Sequence, residues 1–417
     1  MKNIRAILVG VNLALSGAML VLPATQAAAA AEDQKVGVKV GKPLQEAQQA
    51  AGSKQWDQVL SKIREAEAVT DKTPFEQFKI NEFAAWAYTN QKKYGEAAAV
   101  YEKMLDSGFW SAAEVDQYTK QIAQMYLQVK NNTKAAEYIQ RWLKAHPNDA
   151  DMTAVLGQLQ YQSGQLKQAL DTFNGLVSNA EKAGQQPKED WLRVMYGVAA
   201  KLNTNPNALD KQTLTVVEKL VRYYPKDAYW QALLLGLKTQ ITTDAARFQL
   251  DRLMLSVGTL KDADEFIEMA QLAKNFGYPG EALSVLDTGY SKGIIGAGAG
   301  KEREDRLKAS IKKDADADKA SLPAQDKRAR ADAAGQADAI LGEAYLGYGQ
   351  YPQAVEALER GLQKGGVKKL DQAQIALGIA YLRTNQADKA KASFKKVAAD
   401  GELGRIASLW SLHASAK

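Results

Sequence analysis

The sequence predicts an all-α protein, a solenoid of about ten stacked antiparallel helix pairs that ends in a capping helix. The first observation behind this prediction is an internal repeat, because the pattern of Leu341–Gly361 recurs 36 positions later as Leu377–Val397. Self-similarity at a fixed period of about 20–50 residues is typical of stacked helical repeats. The second observation is composition: the 417 residues include only 10 prolines and are rich in Ala, Gln, Lys, Leu and Glu, which all favour helices.

Each copy of the repeat has the pattern of a helical hairpin. Leu341, Ala344 and Tyr345 are three and four positions apart, so they share one face of a first helix. Gly342 and Ala354 are small residues, which suits a close approach of that helix to a second one. One hairpin cannot bury its apolar face alone, so neighbouring hairpins must stack. The alternative, an unrelated pair of amphipathic helices, is disfavoured by the two matched copies.

The repeated pattern resembles the tetratricopeptide repeat family. That family has Leu-Gly and Tyr in a first helix, a Gly or Asn turn, and an Ala and a large apolar residue in a second helix. The resemblance covers about residues 43–415 and is strongest at 79–177 and 336–400. Ala85 and Ala123 depart from it, because the family favours Gly there. The resemblance implies a right-handed superhelix whose first helices line a concave, partner-binding face.

We divide the chain by its changes of pattern. The predicted segments are a signal peptide (1–31), an exposed leader (32–42), an N-terminal solenoid (43–292), a charged stretch (293–335), a C-terminal repeat pair (336–400) and a capping helix (401–417).

The first segment has the three parts of a secretory signal. Lys2 and Arg5 form a basic start, Ala6–Val21 is apolar, and Ala27–Ala31 offers small-residue cleavage sites. We expect cleavage near Ala31 and a periplasmic protein. The alternatives are secretion or an uncleaved N-terminal membrane anchor, although the apolar run is short for a membrane span.

The charged stretch at 293–335 interrupts the repeats. Ala282 and Ala354 are 72 positions apart, twice the repeat period, so we expect one diverged hairpin between them. The composition of the stretch leaves a disordered linker as the alternative.

The sequence offers little that could support catalysis or a metal site. It has no cysteine and only two histidines, His146 and His413, so a zinc site or a nucleophilic triad is disfavoured. Asp314–Asp318 resembles the start of a calcium loop but has Lys319 where the loop needs glycine. The formal charge of +6 is evenly spread, which argues against nucleic acid. We therefore expect no cofactor, no metal and no enzymatic activity.

The resemblance also implies where a partner would bind. The side chains of the first helices that point away from the hairpin core would face the concave groove, and many of them are amides, which can pair with the backbone of an extended peptide. Trp86 and Tyr161 would be aromatic anchors. The alternative is an ordinary polar helix surface. The predicted groove residues are Lys79, Glu82, Trp86, Asn90, Gln117, Lys120, Gln124, Gln128, Gln158, Tyr161 and Gln162.

These features favour a non-enzymatic periplasmic scaffold or adaptor that binds a protein or an extended peptide. The rival interpretation is an accessory component of cell-envelope or exopolysaccharide machinery that contacts glycan or a glycan enzyme. The sequence does not predict the oligomeric state.

Overall fold

The computed structural model describes residues 34–205 and 208–415, and every regular element within them is helical. The prediction of an all-α fold of helical hairpins is confirmed. A short 3-10 helix lies at Gly298–Gly300. The helices are α1 (Val38–Gly52), α2 (Trp56–Glu67), α3 (Pro74–Asn90), α4 (Tyr94–Leu105), α5 (Ala112–Gln128), α6 (Asn132–Ala145), α7 (Ala150–Gln162), α8 (Leu166–Lys182), α9 (Glu189–Leu202), α10 (Lys211–Tyr223), α11 (Asp227–Lys238), α12 (Asp244–Ser256), α13 (Ala263–Asn275), α14 (Pro279–Ser291), α15 (Lys301–Ala331), α16 (Gln336–Gly347), α17 (Tyr351–Lys364), α18 (Leu370–Arg383), α19 (Ala387–Phe394) and α20 (Glu402–Ser415).

The predicted signal peptide, residues 1–31, lies outside the described residues. Across the ranges 34–205 and 208–415, none of the helices combines the length and the apolar character needed to cross a membrane.

The first helix begins earlier than the sequence pattern suggests. It starts at Val38, whereas the prediction was an exposed leader up to residue 42 and a helix from Pro43. Val40 is buried, and the Gly37 N–H donates to the carboxylate of Glu76 at 2.8 Å. Burial of Val40 helps to offset the one helical hydrogen bond that Pro43 cannot donate.

The chain divides into two compact units, which we call unit 1 (up to Leu176) and unit 2 (from Val177). In unit 1, consecutive helices pack as the hairpins α1–α2, α3–α4 and α5–α6. Two of its first helices begin with a capping box, in which Thr73 and Ser111 each exchange hydrogen bonds with a glutamate three residues later. Such caps satisfy N–H groups that a helix start otherwise leaves unpaired.

The turns inside the hairpins of unit 1 depend on an unusual residue type. Lys54, Lys92 and Lys130 all have positive φ angles, between 56° and 59°. The left-handed region disfavours residues with a Cβ, so Gly or Asn is the expected residue at such a turn. The lysines are 38 positions apart, so they mark the same turn in three successive repeats.

A small residue lets the two helices of a hairpin touch. A Cβ on Gly157 would lie 2.7 Å from the Phe173 ring, and one on Gly342 would lie 2.5 Å from Leu358. A Cβ on Gly378 would overlap the ring of Phe394. In each case the glycine precedes its large partner by 16 positions. This recurring contact is the physical basis of the repeated pattern.

In unit 2 the hairpins are α9–α10, α11–α12, α13–α14, α16–α17 and α18–α19, and the long helix α15 interrupts them. A single helix over Lys301–Ala331 thus replaces the diverged hairpin expected within 293–335, and it is not a disordered linker. Its apolar residues form one narrow stripe that includes Ile311, Ala315 and Leu322, all buried. This one stripe packs against α14 and α16. It leaves no second apolar face against which another helix from the same stretch could pack.

The last helix, α20, does more than cover the end of the repeats. It packs against α19, as a terminal cap would, and also against α18 and α12. Its Glu402 carboxylate accepts hydrogen bonds from the backbone and hydroxyl groups of Thr242 and Thr243, at 2.6–3.2 Å. The Thr243 hydroxyl and these further donors hold the pKa of Glu402 at about 2. Segments 160 positions apart are thereby joined within unit 2.

Most of helix α12 is buried, including its polar residues Gln249, Asp251 and Arg252. Asp251 is fully buried, and neither carboxylate oxygen has a hydrogen-bond partner among the described residues. The nearest cation, Lys238, is 3.9 Å away and also faces Glu265 and Glu268. Burial therefore raises the pKa of Asp251 from 3.8 to about 7.

This burial predicts a pH-dependent stability. Because the folded pKa of Asp251 exceeds the unfolded value, stability falls as pH rises from about 4 to about 7, where the folded state binds more protons. We expect Asp251→Asn to stabilise unit 2 at pH 8, by up to a few kcal/mol at about 1.4 kcal/mol per pKa unit, and to change little at pH 4. Urea unfolding of both proteins at the two pH values tests this. A gain that is equal at both values would contradict the assignment.

Candidate functional site

Unit 1 contains a small pocket rich in aromatic side chains, which we call the aromatic pocket. The first helices α1, α3 and α5 contribute to it, together with α4 and the loop that follows α4. Its volume is about 150 Å³. The lining residues are Gln48, Glu82, Phe83, Trp86, Tyr101, Met104, Trp110 and Tyr118.

The segment between α4 and α5 brings Trp110 to this pocket. Gly108 has a φ of 77°, a backbone conformation that turns the chain and that glycine adopts without strain. Ser107 stabilises the turn, since its hydroxyl donates to the Met104 carbonyl at 2.6 Å and accepts from the Phe109 N–H at 3.3 Å. The capping box at Ser111 then starts α5. Trp110 is thereby held between two helices by local hydrogen bonds.

The aromatic rings lie in two groups. On one side Trp110 stacks on Tyr118 with 4.2 Å between ring centroids, and Tyr118 stacks on Tyr101 at 5.0 Å. On the other side the ring of Trp86 contacts Trp56 edge-on at 5.3 Å and Phe83 at 6.2 Å. Such contacts stabilise aromatic pairs beyond the effect of burial. The rings are thus positioned by one another before any ligand binds.

Glu82 is the only charged residue in the lining of this pocket. Its Oε2 atom accepts a hydrogen bond from Lys79 at 2.7 Å, and the Lys79 ammonium also lies 5.5 Å from the Phe75 ring centre. Burial, with the charge of Glu82 as a smaller contribution, raises the pKa of Tyr101 and of Tyr118. Both phenols therefore stay neutral at physiological pH.

A polar cluster on α5, α6 and the start of α7 includes another predicted groove residue. Lys120 pairs with Asp149 at 2.9 Å, and its ammonium lies 4.7 Å from the centre of the Trp142 ring. The Trp142 indole N–H also donates to Asp149, at 2.9 Å. Burial of Asp149 is outweighed by donors that include the Met152 N–H and Lys120, so the pKa of Asp149 is lowered. His146 stacks on the Trp142 ring with 3.7 Å between centroids.

The predicted groove residues fall into three groups. Glu82 and Trp86 line the aromatic pocket, and Lys79 holds Glu82 from outside it. Asn90 and Lys120 bond to the protein itself, Asn90 through the carbonyl of Trp86. The remaining predicted groove residues are exposed or half-buried and lie on α5 and α7, namely Gln117, Gln124, Gln128, Gln158, Tyr161 and Gln162.

The structure changes the interpretation of Trp86. The sequence pattern predicts a ring that points away from the core, but Trp86 is half-buried and packs against α2 through Trp56. A tryptophan at a groove position can thus pack against a neighbouring hairpin and line the pocket at the same time.

Several lining residues were not predicted. Tyr101 has the spacing of a core residue, and it is indeed only 3% exposed, yet its ring contributes to the wall of the pocket. Trp110 lies in a loop, outside any helical pattern. The one signal in the sequence is the density of aromatic residues, with Phe109, Trp110 and Tyr118 close together.

Unit 2 contains a larger cavity, of about 620 Å³, where α12, α14, α15 and α16 meet. Its polar wall includes Arg252, which is 4% exposed and binds Glu281 through two hydrogen bonds, at 2.8 and 2.5 Å. Arg252 also donates to Glu343, at 3.3 Å, and to Gln249, at 3.2 Å. All these contacts are internal, so Arg252 holds α12, α14 and α16 together.

In the part of the chain that the structure describes, no group of three or more His, Asp or Glu side chains is arranged to hold a metal ion.

Two sequence models described as tetratricopeptide repeat match the chain, at residues 121–186 and 371–399. A search among curated protein sequences gives no significant match.

Among solved structures, similarity is found to YrrB, a TPR protein whose structure has an unusual peptide-binding site. The identity is 17%, the match covers 48% of this chain and 97% of that one, and the TM-score is 0.28. A tetratricopeptide repeat protein from Parabacteroides merdae is 11% identical over 89% of this chain and all of its own, with a TM-score of 0.27. MamA from Desulfovibrio magneticus is 13% identical over 50% of this chain and 100% of its own, again at 0.27. These scores are low, so the identification of the repeats rests on the sequence models.

Proposed function

We propose that this chain, a tetratricopeptide repeat protein, is a non-enzymatic scaffold that binds an extended segment of a protein partner on the first helices of unit 1. The repeat family binds peptides or proteins. The observation that carries the proposal is the aromatic pocket, which lies among α1, α3 and α5 and is lined by preorganised rings.

Polar side chains on the later first helices of unit 1 suit an extended peptide. Glutamines on α5 and α7, such as Gln117 and Gln158, carry both a donor and an acceptor that can pair with a peptide backbone. Aromatic residues in pockets often contribute about 2 kcal/mol or more to binding a partner. Hydrogen bonds along the groove would set the register of the bound peptide. One peptide side chain in the pocket would add affinity.

The partner can be identified by site-specific crosslinking. A photoreactive residue in place of the exposed Gln48, which lines the pocket, should capture a protein in cells. The same residue in place of Gln140, exposed on the second helix α6, is the matched control. Equal capture at both positions, or capture at Gln140 alone, would place the binding surface elsewhere.

We expect the double variant Trp86→Ala and Tyr161→Ala to weaken binding of that partner by more than about tenfold. Trp56→Ala is the control, because it removes the same Trp56–Trp86 ring contact without removing a wall of the pocket. Binding is measured by calorimetry on the purified pair, and circular dichroism verifies that both variants fold. If Trp56→Ala lowers affinity as much as the double variant, packing rather than the pocket explains the loss.

The rival function, contact with an envelope glycan, is supported by the same rings, since sugars also stack on Trp and Tyr. Calorimetric titration with peptidoglycan fragments separates the two. Saturable glycan binding that Trp86→Ala abolishes would favour the rival.

We further propose that the protein is exported to the periplasm, from the order of basic, apolar and alanine-rich segments in residues 1–31. N-terminal sequencing of the protein from its native envelope should begin between about Ala28 and Glu32. An intact Met1 in the membrane fraction would indicate an anchor.

A further inference from the structure

We propose that the aromatic pocket binds the guanidinium group of an arginine side chain in the partner segment. This inference rests on the proposed function and specifies the chemistry that the pocket would recognise.

The size of the pocket limits the ligand to one side-chain group. A cavity of about 150 Å³ accepts a group the size of benzene. A guanidinium on its aliphatic stem meets this limit, whereas a folded domain or a sugar chain could place only one end there.

The walls of the pocket favour a planar cation. Trp86, Trp110, Tyr101 and Tyr118 line it, and a ring face that is not stacked on a neighbouring ring carries negative charge density that attracts cations. Guanidinium groups stack on aromatic faces and are more weakly hydrated than ammonium groups, so less hydration is lost on entry. Arginine therefore suits these walls better than lysine.

The charge of the pocket agrees with this choice. Its lining includes Glu82 and no basic residue. Lys79 is bonded to the Oε2 atom of Glu82 and lies outside the lining. A carboxylate can accept several hydrogen bonds, so Oε1 can receive an incoming N–H donor while Lys79 stays in place. A half-buried glutamate beside aromatic rings is expected to select a cation over an apolar side chain of similar size.

The test is fluorine NMR of the full chain labelled with 5-fluorotryptophan. The chain has seven tryptophans, and single Trp→Phe variants assign their signals. The probes are N-acetyl-arginine amide, N-acetyl-citrulline amide and N-acetyl-leucine amide. Citrulline has nearly the shape of arginine but is neutral. We expect arginine amide to shift the signals of Trp86 and Trp110, leave that of Trp230 in unit 2 unchanged, and bind about tenfold more tightly than the other two. Equal or tighter binding of citrulline or leucine amide would overturn the proposal.

Two variants assign the role of the carboxylate. Glu82→Gln should remove the preference for arginine over citrulline, while Glu96→Gln, an exposed carboxylate on α4 outside the pocket, should keep it. Retention of the full preference in Glu82→Gln would contradict the proposed ion pair.

The arginine proposal and the scaffold proposal can fail independently of each other. If the crosslinked partner binds through the pocket but neutral probes bind as well as arginine amide, only the inference about arginine fails. If arginine amide binds as expected while no partner is captured at Gln48, only the scaffold proposal fails.

Discussion

Gly335→Ala is expected to destabilise unit 2 by about 3 kcal/mol or more, the upper range for overpacking. A Cβ at this position would overlap the backbone carbonyl oxygen of Gly361. Backbone atoms cannot rotate away as the end of a side chain can, so α16 and α17 would have to separate. The Gly335 N–H also donates to the Gly365 carbonyl at 2.8 Å, and this bond would lengthen with the separation. Urea unfolding followed by circular dichroism measures the loss.

Gly175→Ala is the matched control. Gly175 lies inside α8 and is exposed, and apart from the backbone of its own helix no neighbouring group lies within 4 Å of where its Cβ would be. Alanine in an exposed helix interior is more stable than glycine by about 0.5–1 kcal/mol, so the same substitution should here stabilise. A Gly335→Ala protein as stable as the wild type would show that α16 and α17 do not approach each other in this way.

Arg252→Met is expected to destabilise unit 2 by about 3–5 kcal/mol at neutral pH, because it leaves buried carboxylates without their cation. Glu281 is 13% and Glu343 6% exposed, so both carboxylates have little contact with bulk water that could replace the guanidinium. Burial already raises the pKa of Glu343 in the presence of Arg252. Without the arginine, the folded pKa of Glu343 should rise further above the unfolded value.

The sign of the pH dependence follows from that rise. An acid whose pKa is higher in the folded state binds more protons there, so the variant loses stability as pH increases above about 4.5. We expect a smaller loss at pH 5 than at pH 7.5 in urea unfolding. Arg306→Met, which removes the exposed Arg306–Glu302 pair, should change stability little at either pH. An equal loss for Arg252→Met at both pH values would exclude the buried ion pair as its cause.

The hairpins could be predicted because their main contacts are periodic. Gly342 with Leu358 and Gly378 with Phe394 place the same pair of sizes at the same separation, so the helix contact appears directly in the sequence. The turns of unit 1 recur every 38 positions even though their residue is atypical, as at Lys92. Such contacts join residues that are close in the chain, so they can be predicted from local sequence patterns.

The candidate site could be predicted only in part. Glu82 and Trp86 were expected in a groove because they lie on a first helix. Gln48, Trp110 and Tyr118 come from three other segments. Gln48 lies 38 positions before Trp86, the spacing of the lysine turns, but Trp110 and Tyr118 do not have that spacing to Glu82 or Trp86. These side chains come together only because successive hairpins stack. The sequence of one segment does not indicate which side chains of another segment it will contact.

By itself, the sequence determined that this protein is a stack of helical hairpins, since repeated small and large residues at fixed spacing dictate how each helix pairs with its neighbour. Only the tertiary structure decided that 301–331 is one helix, that α20 returns to α12, and that five segments of unit 1 line an aromatic pocket. Those features depend on contacts between distant positions, such as Thr242 and Glu402. Contacts of that kind occur once, so they leave no periodic signal in the chain.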